Sequence, residues 1–155
     1  MQEQKRARRI AMTKDELDDF LGEQRTCRLG SVDGDGAPHV SPLWFVWDGS
    51  ALWLWSLVKS QRWVNLMRDS RVSVAVDDGQ EYGELRGVEL LGSVTPVGDV
   101  PRTDVSHPGG AAAEQLWGDK YTGGQFFSDG KHAWLRLDPD KIVSWDFRKI
   151  PDAAG

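Results

Sequence analysis

The chain has 155 residues, a net charge of −5 and a single cysteine, Cys27. That length fits one domain with a sizeable core, and the acidic balance gives no support to a nucleic-acid partner. A lone thiol excludes an internal disulfide framework, so a reducing, cytoplasmic setting is expected.

Residues 1–12 read as a flexible basic N-terminal arm carrying Lys5, Arg6, Arg8 and Arg9. It is either a solvated tail or an arm that neutralises an anionic cofactor tail or substrate. It lacks the apolar stretch of a secretory signal, and no run in the chain approaches the ~18 apolar residues of a membrane span. The domain proper is expected over residues 13–150, with 151–155 as a tail. Thr13 and Glu16 form a capping box, and Leu17, Phe20 and Leu21 make the apolar stripe of a helix ending at Gly22.

Three apolar runs follow, Cys27 to Val32, His39 to Trp47 and Ala51 to Val58. Asp33-Gly34-Asp35-Gly36 and Asp48-Gly49 separate them; Asp-Gly steps tolerate positive φ and mark hairpins. The third run alternates Leu52, Trp53, Leu54 and Trp55, so this strand is expected to be covered on both faces. A basic turn, Lys59-Ser60-Gln61-Arg62, precedes a helix with Trp63, Leu66 and Met67 at i, i+3 and i+4. Val72 to Val76 reads as a fourth strand. Leu85 to Val97 reads as one strand or a bent pair, with Gly87 and Gly92 as bulge or close-approach sites. Gly98 to Gly110 is a loop. Ala111 to Tyr121 is a helix anchored by Leu116 and Trp117 and closed by Gly123-Gly124. His132 to Leu137 and Lys141 to Phe147 are expected to pair around Asp138-Pro139-Asp140. The whole reads as an antiparallel β-barrel, since closure removes exposed edges.

Three segments carry a resemblance: Gly36-Ala37-Pro38-His39-Val40-Ser41-Pro42-Leu43-Trp44-Phe45, then Ser60-Gln61-Arg62-Trp63-Val64-Asn65-Leu66, then Arg68-Asp69-Ser70-Arg71-Val72-Ser73-Val74. Their order and spacing resemble the split-barrel flavin-binding superfamily. That group includes the pyridoxamine-phosphate-oxidase-like proteins and the flavin/deazaflavin oxidoreductases of actinobacteria. The resemblance covers roughly residues 13 to 150. Ser70 stands where the family usually has Pro, and Ser60-Gln61-Arg62 replaces its Arg-Lys pair.

The resemblance implies a mainly β, antiparallel split barrel of about six or seven strands with a few peripheral helices. It implies a homodimer with the cofactor at the subunit interface, and one face of the third strand packing on the partner. The turn Lys59, Ser60, Gln61 and Arg62 would hold the cofactor phosphate, as a helix start with basic residues suits an anion. His39, Val40, Ser41 and Pro42 would line the ring edge, and Ser56 and Leu57 would let a planar ring approach the backbone. The implied activity is hydride transfer between a deazaflavin (F-420) or FMN and a small organic substrate. The alternatives are a non-catalytic FMN- or haem-binding split barrel, or a pyridoxamine-phosphate-oxidase-like flavoenzyme. The C-terminal Arg-x-His substrate motif of the oxidase proper has no counterpart in Trp145-Asp146-Phe147-Arg148. His107 and His132 lack Cys or His at ligand spacing, so no metal is expected. Cys27 reads as a buried inert thiol, and no catalytic acid–base group stands out, which suits chemistry carried by a cofactor.

Overall fold

In the computed structural model, which describes residues 1–151, six antiparallel strands close into a barrel in the order β1-β2-β3-β6-β5-β4. They are β1 (Thr26–Val32), β2 (Pro38–Trp47), β3 (Leu52–Leu57), β4 (Arg71–Asp78), β5 (Arg86–Val97) and β6 (His132–Asp146). Three helices accompany them: α1 (Lys14–Glu23), α2 (Gln61–Arg68) and α3 (Ala111–Tyr121). This is the mainly β, antiparallel barrel expected from the sequence. Residues 152–155 of the expected tail lie outside the described residues.

The two ends of the barrel are closed by α1 and α2. Thr13 Oγ1 accepts the Glu16 N–H at 3.2 Å and Glu16 Oε1 accepts the Thr13 N–H at 3.2 Å, the reciprocal bonds that start α1. The helix runs through Gly22 to Glu23 and buries Leu17, Phe20 and Leu21. Trp47 Nε1, at the end of β2, donates to Asp18 at 2.8 Å and fixes α1 to that end. At the other end α2 follows β3, and Ser60 caps it by accepting the Trp63 N–H at 3.1 Å. Between the helices, strand alternation turns Leu29, Leu54, Val74, Leu90 and Leu135 inward, all fully buried.

A second core lies outside the barrel. Trp53 and Trp134 project from the outer face of β3 and β6 and meet Ala113 and Trp117 of α3. The two faces of β3 are thus both covered, as its bulky alternation requires. Its second face is covered at Trp53 by this chain's own α3.

The C-terminal strand departs from expectation. Instead of two strands turning at Asp138-Pro139-Asp140, β6 is one strand of 15 residues. The Pro sits at a bulge: the β5–β6 register shifts between Leu91 and Gly92, and Gly92 lies opposite Pro139. A missing ladder donor is tolerated there. A Cβ on Gly92 would come within 2.2 Å of the Asp138 carbonyl oxygen. Gly92→Ala is therefore expected to destabilise the fold by about 1–3 kcal/mol, the usual cost of overpacking. A lower urea midpoint at unchanged m-value checks it.

Residues 1–12, read from the sequence as a flexible basic arm, lie along β6. Within β6, β3 reaches only His132–Leu137, leaving the later part of β6 without a strand neighbour on that side. Gln2 N–H donates to the Asp140 carbonyl at 2.7 Å. The Gln4 amide bonds both Ser144 N–H and Ser144 C=O at 3.0 Å. The arm thereby satisfies a strand edge. It sits towards the α1 end, at the far end of β6 from the residues that pair with β3.

Candidate functional site

Helix α2 turns an unusual face inward. Trp63 and Leu66 are buried as the apolar period requires, but Met67 is exposed, and Arg62 and Asn65 are buried instead. Arg62 and Asn65 are three residues apart and so share that inner face. Arg62 is 9% exposed. Its Nε donates to Ser56 Oγ at 3.1 Å and its Nη1 to Ser41 Oγ at 2.8 Å. Among the described residues no carboxylate pairs with it, and burial lowers its pKa from the ordinary guanidinium value. A buried cation bonded only to hydroxyls retains N–H donors and a positive potential for an anion.

Around it lies a polar lining. Asn65 Nδ2 donates to Ser31 Oγ at 3.1 Å, and Gln61 Nε2 to Asn65 Oδ1 at 2.7 Å. His39 pairs across from Ser31 on β1. Its Nδ1 is buried and has no hydrogen-bond partner, a costly state unless a ligand completes it. A cavity of about 450 Å³ lies between β1, β2 and β4 beside Ser31 and His39; Gly30, Val40, Arg71 and Ser73 line it with them, whereas Arg62, Ser41 and Ser56 do not. Gly30 leaves bare backbone in its wall, where the nearest atom to an added Cβ is the Ser73 carbonyl oxygen at 3.6 Å.

The residues singled out in the sequence separate into three sets. Ser41 and Ser56 meet Arg62 beneath α2, and His39 shares the inner face of β2 with Ser41. Val40, Pro42 and Leu57 fall on the opposite side of their strands and are exposed, following the two-residue alternation. Lys59, Ser60 and Gln61 form the turn at the surface. The Ser60 hydroxyl is already engaged, donating to the Leu57 carbonyl at 2.8 Å while it caps α2. That leaves the Lys59 ammonium and the first helical N–H groups, those of Gln61 and Arg62, to meet an anion. Gly30, Ser31 and Asn65 were not singled out. The strand alternation that pairs Ser31 with His39, and the helix spacing that puts Asn65 beside Arg62, were the signals that pointed to them.

Cys27 is fully buried in the barrel, and burial pushes its thiol up to about 12, with the Arg62 charge working weakly the other way. It is the inert thiol expected from the sequence.

Residues 13–146 match the model of the family described as pyridoxamine 5'-phosphate oxidase. The chain belongs to the pyridoxamine 5'-phosphate oxidase family. No curated protein matches it in sequence. Among solved structures it is similar to the conserved hypothetical protein Rv2991 from Mycobacterium tuberculosis, at 30% identity and a TM-score of 0.76 over 98% of this chain and 100% of that one. It is also similar to a protein described as an F420 reductase, at 25% identity and a TM-score of 0.60, covering 81% of this chain and 94% of that one. HutZ, the haem storage protein of Vibrio cholerae, shares the fold at 18% identity and a TM-score of 0.66 over 84% of this chain and 93% of that one. Membership of the oxidase family agrees with the split barrel read from the sequence. No helix among the described residues is long and apolar enough to cross a membrane.

Proposed function

We infer that the protein is an oxidoreductase that passes a hydride between a flavin-type cofactor, the deazaflavin F-420 or FMN, and a small organic substrate. The observation that carries this is Arg62, a buried guanidinium bonded to Ser41 and Ser56 and, among the described residues, to no carboxylate; the unpartnered His39 shares the inner face of β2 with Ser41. Such a pair fits a ligand that brings both an anion and a hydrogen-bonding ring. The likeness to the F420 reductase supports the deazaflavin over FMN.

The bound cofactor supplies the hydride chemistry. The chain's own residues bind and orient. Arg62, the Lys59 ammonium and the N–H groups opening α2 take the phosphate. His39 Nδ1, which has no partner of its own, would supply a hydrogen bond to the cofactor. Ser41 and Ser56 hold the guanidinium fork in place, which keeps its remaining N–H groups aimed.

A second copy of the chain is the proposed partner. The outer side of β2 presents Val40, Pro42 and Trp44 to solvent, with Val40 at 71% and Trp44 at 44% exposure. An apolar strip beside the cavity mouth suits a dimer with the cofactor between subunits.

The experiment is the absorbance spectrum of purified protein, followed by titration of the cofactor-free protein with F-420 and with FMN. Micromolar or tighter binding of one of them, and its oxidation or reduction with a substrate panel, is the expected result. Binding of neither removes the reading. Binding of haem with no redox turnover moves the protein to the non-catalytic alternative.

A further inference from the structure

A separate recess lies on the far side of the Lys59 turn. Leu57, Val58, Lys59, Pro101, Gly130 and Lys131 line a cavity of about 310 Å³. The segments are tied together: the Val58 N–H donates to the Lys131 carbonyl at 3.1 Å, and Leu57 pairs across from His132. Two lysines, Lys59 and Lys131, thus border a recess otherwise lined by Leu57, Val58, Pro101 and Gly130.

Among the described residues no acidic side chain pairs with Lys59 or Lys131, and the nearest in sequence is paired elsewhere. Asp129, the acid two residues from Lys131, is otherwise engaged. Its Oδ1 accepts the Lys131 and His132 N–H groups at 2.9 and 3.1 Å, and its Oδ2 lies 2.5 Å from His132 Nδ1. Burial works against its charge, but these bonds outweigh burial and hold the carboxyl below its usual range. The His132 ring stacks on Trp55, centroids 5.3 Å apart and planes 12° from parallel. The loop's one acid is thus engaged by backbone N–H groups and by His132 rather than by the Lys131 ammonium.

We propose that this cavity is a second anion site, for the phosphate or carboxylate head of a small organic molecule with an apolar neck. Two point charges suit an anionic head, and Leu57, Val58 and Pro101 suit the carbon next to it. The site is distinct from the Arg62 pocket, because Arg62 does not line this cavity and its side-chain bonds run instead to Ser41 and Ser56. If the oxidoreductase reading holds, the substrate is then an organic anion. Lys59 borders both sites, so the test is made at Lys131.

The probe is inorganic phosphate, added to the ¹⁵N-labelled cofactor-free protein and followed by amide shifts. The expected result is one saturable set of shifts at Leu57, Val58, Gly130 and Lys131. Lys131→Ala is expected to weaken that binding at least ~10-fold, the loss of one charge-assisted bond. Arg62→Met is expected to leave it within about twofold, as sites without shared partners behave independently. Unchanged amide positions elsewhere show that each variant is folded. The proposal is overturned if those amides do not shift, if Lys131→Ala binds phosphate as well as the parent, or if Arg62→Met removes the same shifts. Failure of F-420 and FMN to bind would end the cofactor reading and leave this phosphate result standing.

Discussion

Replacing Arg62 by methionine is expected to weaken cofactor binding about 10- to 100-fold while leaving the cofactor-free protein as stable as before or more so. The first half follows from losing hydrogen bonds to a charged group, worth ~1.5–3 kcal/mol. The second half follows from burial. Arg62 is a desolvated cation whose protein partners are two serine hydroxyls. Removing a buried charge that lacks a countercharge relieves a desolvation cost, and methionine fills most of the volume. A residue that costs stability and repays it only when an anion binds is the signature of a binding site rather than of a core. Calorimetric titration with F-420 and with FMN, beside melting curves of the cofactor-free forms, reads both halves. Equal affinities, or a large fall in the melting temperature without cofactor, would return Arg62 to a structural role. Arg62→Lys, which keeps the charge but not the fork, is expected to fall between.

Glu114→Ala is expected to cost about 3–5 kcal/mol of stability, as breaking a buried ion pair leaves its partner charge uncompensated. Glu114 on α3 receives Arg102 in a two-pronged ion pair, Nη2 to Oε1 at 2.8 Å with Nε on the other oxygen. Ser106 donates to the same carboxylate at 2.7 Å and Trp134 Nε1 at 2.9 Å. This one side chain joins the 98–110 loop, α3 and β6 over the outer core. Burial alone would raise its pKa, but the bonds from Arg102, Ser106 and Trp134 outweigh burial and lower it. A carboxyl depressed in the folded state contributes stability above its unfolded pKa, about 4.3. That stability is lost as pH falls from there through the lower folded-state value. Urea midpoints of the parent should therefore drop across this acid range. Glu114→Gln, which does not titrate, should show a flatter curve from a lower start. Parallel curves for the two proteins would show that this carboxyl is not the acid-labile group.

The elements that were legible from sequence are those whose signals are local. The capping box at Thr13 and Glu16, the Asp-Gly hairpins, the Ser60 turn and the limits of α3 each depend on residues within one or two turns of chain. The close approach at Gly92 was also readable, because a glycine inside a strand needs a reason. The Asp138-Pro139-Asp140 stretch misled for the complementary reason. Its composition is that of a turn, yet whether the chain bends or bulges depends on Gly92, far away in sequence, making room for the Asp138 carbonyl.

Sequence by itself determined the barrel, the basic turn and the family resemblance, because apolar periodicity and turn chemistry act over short distances. Only the tertiary structure decided the rest. It put α3 over the second face of β3 at Trp53. It set the arm along the open edge of β6, where Gln4 satisfies Ser144, rather than beside the turn. It also drew Arg62 inward to Ser41 and Ser56, where the turn's composition alone would leave it in solvent. The reason is the same in each case: which surface is buried, and which buried charge lacks a partner, is settled by contacts between segments that no local pattern records.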